Sequence, residues 1–147
     1  MNNYMTMKFK SIPENETLSR NCIAAFVFPL NPTLNDIADI KTSVSEAVTN
    51  SIIHGYENKA GIIELTAVIE ENRLTIKISD EGKGIDDIDL AKEPLYTSKP
   101  EMERSGMGFT IMESFMDSVD IISSPSFGTT VIMTKNINMD FCADECV

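Results

Sequence analysis

The sequence predicts an α+β protein, a two-layer sandwich in which helices cover one face of a mostly antiparallel sheet. Three observations predict it. Strand-like alternation recurs in segments joined by hairpin turns as well as by helices, the longest apolar stripe has helical period, and 147 residues with a 42% apolar share suffice for one compact core. Charged residues make up 24% of the chain, a globular rather than a disordered balance. One domain is expected over residues 1–136, with a polar, flexible tail over 137–147.

Met7, Phe9 and Ser11 alternate with Lys8 and Lys10, so a short half-buried or edge strand should end before Pro13. A first helix follows from Glu14, its apolar positions Leu18, Cys22, Ala25 and Phe26 falling at three- and four-residue steps until Pro29 and Pro32 close it. Thr33 caps a second helix whose stripe runs Leu34, Ile37, Ile40, Val44, Ala47, Val48, Ser51, Ile52 and stops at Gly55. The β-branched segment Ile62 to Glu70 turns at Glu71-Asn72 and returns through Leu74, Ile76 and Ile78, giving two antiparallel strands. Asp80 to Arg104 is a long, charged loop with a short helix near Asp86 to Ala91; loops of that length are usually functional or disordered. A third long helix starts near Gly108 and buries Phe109, Met112, Phe115 and Met116. A last hairpin runs Val119 to Ser124, turns over Pro125 to Gly128 and returns through Thr129 to Thr134.

Twelve Lys and Arg against 23 Asp and Glu leave a net charge of −11, which repels a polyanion, so direct nucleic-acid binding is not expected. Basic residues gather only at Lys92, Lys99 and Arg104. No run approaches the ~18 apolar residues of a membrane span, and MNNYMTMKFK lacks the apolar core of a secretory signal, so a cytoplasmic protein without membrane contact is expected. Cys22, Cys142 and Cys146, with a single histidine, read as free thiols rather than a zinc site.

Glu46, Asn50 and His54 are spaced by four and share one helical face. Alone, such a row reads as a solvated surface. Its small neighbours Ser43, Ala47 and Ser51 leave room for something to approach, and the row itself holds a base, a metal-capable amide and an imidazole. Asp80 has the parity of Leu74, Ile76 and Ile78 and should point inward, where a carboxylate needs hydrogen-bond donors. Gly82 and Gly84 would let backbone come close to a flat ligand; the plain alternative is an ordinary Asp-Glu-Gly turn. Arg104-Ser105-Gly106-Met107-Gly108-Phe109 places a glycine pair just before a helix, where free amides favour an anion.

In that order, Glu46-Ala-Val-Thr-Asn50, Asp80-Glu-Gly82-Lys-Gly84, Gly106-Met-Gly108 and Gly128-Thr129-Thr130 resemble the nucleotide-binding boxes shared by DNA gyrase, the Hsp90 chaperone, histidine kinases and the MutL proteins, the Bergerat ATP-binding fold. The segments SEAVTNSIIHGYE, PLYTSKPEMERSGMGFTIME and SSPSFGTTV are similar to those of the sporulation anti-sigma factors, small serine kinases of this superfamily. The resemblance implies ATP and Mg2+ as cofactors. Asp80 would accept the adenine amino group, with Thr129 or Thr130 supporting it through water, and Asn50 would hold magnesium. Glu46 would be the general base and His54 part of the nucleotide motif. Ser105, Gly106, Met107, Gly108 and Phe109 would lie at the phosphates. Residues Asp86 to Arg104 would form a lid, in which Tyr96, Thr97, Ser98 and Lys99 stand at the family's lid motif and Lys99 and Arg104 neutralise phosphate charge.

The implied activity is ATP-dependent capture of sporulation sigma factor F, together with phosphorylation of a serine on an anti-anti-sigma factor. A homodimer would pair through the sheet edge over Met7 to Ile12, and Arg20 reads either as a partner contact or as a plain surface arginine. Histidine kinases, gyrase, MutL and Hsp90 carry further domains for which no sequence is present here, so a separate protein is the expected target. Two other readings remain at this point: a nucleotide-gated binding module without kinase activity, and a general-stress anti-sigma factor kinase.

Overall fold

The computed structural model describes residues 1–93 and 108–137. Tyr96, Thr97, Ser98, Lys99, Arg104, Ser105, Gly106 and Met107, together with Cys142 and Cys146, lie outside the described residues, as does the tail from residue 138. The elements in order are β1 (Asn2–Lys10), α1 (Glu14–Val27), α2 (Leu34–Asn50), β2 (Ile62–Glu70), β3 (Arg73–Asp80), α3 (Ile88–Ala91), α4 (Gly108–Phe115), β4 (Ser118–Ser123) and β5 (Thr129–Asn136). The strands form one five-stranded sheet in the order β1-β2-β3-β5-β4, antiparallel at every pairing. The predicted α+β sandwich is the fold observed.

One parity of each central strand is buried: Ile63, Leu65, Ala67 and Ile69 on β2, Leu74, Ile76 and Ile78 on β3, Val131 and Met133 on β5. Against that face pack Ile23 and Val27 of α1, Ile40, Val44, Ala47 and Val48 of α2, and Phe109 and Met112 of α4, all in a single core. Helix α2 contacts both α1 and α4, so it is the central rod of the helical layer. Its start is fixed by a capping box. The Thr33 hydroxyl accepts from the Asp36 N–H at 3.0 Å while the Asp36 carboxylate accepts from the Thr33 N–H at 3.2 Å, which satisfies two amides that the helix itself cannot pair.

Several expectations are corrected. On α1 the buried face is Ser19, Ile23 and Val27, whereas Leu18 is 46% exposed and Ala25 is exposed. Two apolar stripes one residue apart compete on this helix. Burial of Ser19 is permitted because its hydroxyl donates to the Glu16 carbonyl at 2.7 Å, so the polar residue needs no water. Leu34 and Phe115 are likewise exposed at the ends of their helices. Strand β1 is an edge strand, as expected, but begins at Asn2 rather than near Met7, because the ladder to β2 runs on through the exposed Asn2, Asn3 and Tyr4. Ile137, placed in the tail by composition, is fully buried and donates its N–H to the Asn72 carbonyl at 2.8 Å.

Removing the Thr33 cap with Thr33→Ala is expected to cost about 1 kcal/mol, read as a lower urea midpoint at unchanged slope.

Candidate functional site

The end of β3 carries the inward parity two residues past Ile78, so Asp80 sits in the core layer with 6% of its surface exposed. Three segments supply its donors. The Ser51 hydroxyl donates to Oδ2 at 2.8 Å and the Gly82 N–H donates to Oδ1 at 2.9 Å. The Thr129 N–H, directly across the β3–β5 ladder, also donates to the carboxylate. Burial pushes the Asp80 carboxyl above the usual carboxylate range, and the Gly82, Ser51 and Thr129 hydrogen bonds pull it back down.

Ser51 reaches Asp80 because α2 runs on into a π-helical turn, Ser51–Gly55, closed by the Tyr56 N–H donating to the Ser51 carbonyl at 2.9 Å. Turns of this kind are rare and often mark functional sites. The turn is pressed against the segment after β3. A Cβ on Gly82 would stand 2.2 Å from the Gly55 carbonyl oxygen, and one on Gly55 would stand 2.9 Å from Asp80 Oδ1, so neither position has room for a side chain. The Lys83 N–H donates to Gly55 O at 3.0 Å. Tyr56 adds a strut, its hydroxyl donating to the Ile62 carbonyl at 2.6 Å and accepting from the Glu81 N–H at 2.8 Å.

Above Asp80 opens a cleft of ≈ 200 Å³. Asn50, Ser51 and His54 line it from the α2 side, Gly84, Ile85 and Leu90 from the loop and α3, Gly108 and Phe109 from α4, and Thr129 with Val131 from β5. A buried acceptor on the floor with apolar residues around it suits a flat heteroaromatic ring carrying an amino group. Further along α2, Glu46 and Asn50 face the start of α4. A Cβ on Gly108 would lie 3.1 Å from Asn50 Nδ2 and 3.3 Å from Glu46 Oε2, so the glycine lets the first amides of α4 approach this pair. Among the described residues no cluster of three His, Cys, Asp or Glu could hold a metal.

The structure therefore brings Asn50, His54, Asp80, Gly84, Gly108, Phe109 and Thr129 together around one cleft, with Glu46 beside Gly108. Thr130 is placed elsewhere. Its register partners are Ser79 and the exposed Ile122, and its hydroxyl shares a 2.9 Å hydrogen bond with Ser79 on the opposite sheet face, so of the two threonines only Thr129 can serve the cleft. Gly82 abuts the Gly55 backbone rather than the cleft. The cleft also takes Ser51, Lys83, Ile85, Leu90, Ala91 and Val131, of which the sequence marks only Ser51, and that by its size.

The fold and this cleft define a histidine kinase-like ATPase domain, whose family model matches residues 9–135. The chain is 55% identical over 138 residues to the anti-sigma F factor of Thermoanaerobacter sp. (strain X514), covering 94% of this chain and 96% of that one. The anti-sigma F factor of Oceanobacillus iheyensis is 55% identical over 139 residues and that of Bacillus cytotoxicus 52% over 139, each alignment covering 94% of this chain and 95% of the relative. The chain belongs to the anti-sigma F factor family. Among solved structures, the RsbU and RsbW domains of Rv1364c from Mycobacterium tuberculosis share the fold with a TM-score of 0.67 at 18% identity, over 92% of this chain and 32% of that one.

A carboxyl raised by burial stabilises the folded form most when protonated, below the unfolded value of about 3.9, and loses that contribution as pH rises through the folded value. Urea unfolding of the nucleotide-free protein should therefore show wild type gaining stability relative to Asp80→Asn as pH is lowered from about 7 toward about 4.5. The opposite slope would mean that the donors outweigh burial.

Proposed function

We propose that this protein is an ATP-dependent protein-serine kinase that also acts as an anti-sigma factor, holding sporulation sigma factor F while ATP is bound and phosphorylating a serine of its anti-anti-sigma factor. The observation that carries the enzymatic half is the pairing of a buried acceptor, Asp80, with the Glu46–Asn50 row beside Gly108 at the other end of one cleft. The partners follow from the family name of relatives that match nearly the whole chain.

In this reading Asp80 accepts the adenine amino group while Ile85, Leu90 and Val131 contribute apolar surface around the ring. Asn50 would ligate magnesium through its amide oxygen, and the first amides of α4 at Gly108 would receive phosphate. Bound ATP with magnesium supplies the transferable phosphoryl group. Glu46 accepts the proton of the incoming serine hydroxyl, so that its oxygen can attack as the bond to the leaving diphosphate breaks. Lys99, Arg104 and the Ser105-Gly106-Met107 segment, outside the described residues, would add positive charge and further amides.

The homodimer is read onto β1. Among the described residues it has a strand partner on one side only, so the backbone of Asn2–Lys10 would offer an edge to a second copy over Met7 to Ile12. Among the described residues no helix is long and apolar enough to cross a membrane, and a sigma-binding protein works in the cytoplasm. The net charge of −11 suits partners made basic by the need to bind DNA.

Two substitutions test the reading. Glu46→Gln should retain ATP and sigma factor F while transfer of labelled γ-phosphate to the partner serine falls by about a hundredfold or more, and unchanged transfer would remove Glu46 as the base. Asp80→Asn should abolish ATP binding in calorimetry; wild-type affinity would reject the adenine assignment. Recovery of a general-stress sigma factor in preference to sigma factor F, in a capture with magnesium-ATP, would move the protein to the other pathway.

A further inference from the structure

Asp80 is held at each oxygen by a different donor: Oδ1 by the Gly82 N–H and Oδ2 by the Ser51 hydroxyl. Two anchors fix the plane of a carboxylate where one would leave it free to rotate. Gly55 closes the remaining freedom, since its Cα lies so near that an added Cβ would stand 2.9 Å from Oδ1. Gly82 and Thr129 donate through the main chain. Ser51 donates through its side chain, and it is itself 5% exposed, so water does not compete for the bond.

We propose that Ser51 is a positioning residue for base recognition: its hydroxyl locks the plane of the Asp80 carboxylate so that the remaining lone pairs meet the exocyclic amino group of adenine. The inference rests on the cleft being the ATP site. Ser51 directly follows Asn50, so the residue that would hold the metal and the residue that orients the base acceptor are consecutive on one helix, at the point where it changes to the π-helical turn.

The test compares two nucleotides on two proteins. Purine riboside triphosphate has the ring, sugar and phosphates of ATP without the amino group. Wild type should bind ATP in preference to it. Ser51→Ala, which puts a strong helix former at a helical position, should bind ATP about tenfold more weakly, with a raised KM and an unchanged kcat, while binding purine riboside triphosphate as wild type does. A loss equal for both nucleotides would show that Ser51 only shapes the cleft, and unaltered ATP binding would show that Gly82 and Thr129 suffice; either result overturns the proposal. If wild type itself does not distinguish the two nucleotides, the assignment of Asp80 to the adenine amino group falls first. Thermal unfolding of both proteins verifies that the comparison is made between folded molecules.

Discussion

A carboxylate shielded from water must be surrounded by donors, and at the end of β3 that requirement is met by the turn that follows the strand together with two distant segments. Ser51 comes from the end of α2, Gly82 from the turn after β3, and the Thr129 amide from β5. Their convergence accounts for features that otherwise look unrelated. The π-helical turn brings Ser51 and Gly55 against Asp80, the turn after β3 must pass so near Gly55 that Gly82 can carry no side chain, and Tyr56 ties Glu81 to the start of β2. Burying the charge works against stability, so the fold offsets it with an almost wholly aliphatic core on the same sheet face.

The fold was legible because its signals are local and repeated. Period-two runs on β2 and β3, the Glu71-Asn72 turn and the Thr33 cap each depend on neighbouring residues, and the inward direction of Asp80 follows from parity alone. What the sequence hides is settled by packing. On α1, Cys22/Phe26 and Ile23/Val27 are equally good stripes until α2 and β2 choose between them. Thr129 and Thr130 are chemically alike, and only the ladder to Ser79 and Asp80 sends one to each face. Ser51 as a donor, and Ile85, Leu90 and Val131 as walls, become visible only when β3, β5 and α3 are brought to the end of α2. The π-helical turn leaves no trace in the stripe, because Ser51 and Ile52 continue the helical period through it.

Sequence identity and fold likeness also answer different questions here. At 18% identity the mycobacterial structure shows the shared architecture, whereas identity of 52–55% over nearly whole chains ties this protein to one family. The physical site lies between these levels. The cleft suits a flat ring that carries an amino group, whereas partner identity rests on kinship.

Phosphoryl transfer asks a protein chiefly for position and charge. In this fold the position is set by α2. In the proposed reading Ser51 at its end would orient the base acceptor, Asn50 would be the metal amide, and Glu46, the proposed proton acceptor, stands one turn earlier, roughly 6 Å along the axis. All three are carried by a helix whose opposite face, Ile40, Val44 and Val48, is completely buried between sheet and neighbouring helices, so their separation cannot vary without disturbing the core. On the proposed reading, a nucleotide seated on Asp80 would be measured against Glu46 by the helix itself. The opposing side of the cleft is built differently: α3 is four residues long, contains no buried residue and is joined to α4 by a Lys92–Glu113 pair at 3.3 Å between partly exposed side chains, a contact of little energy. The wall that sets the geometry is thus the one whose apolar residues are buried deepest.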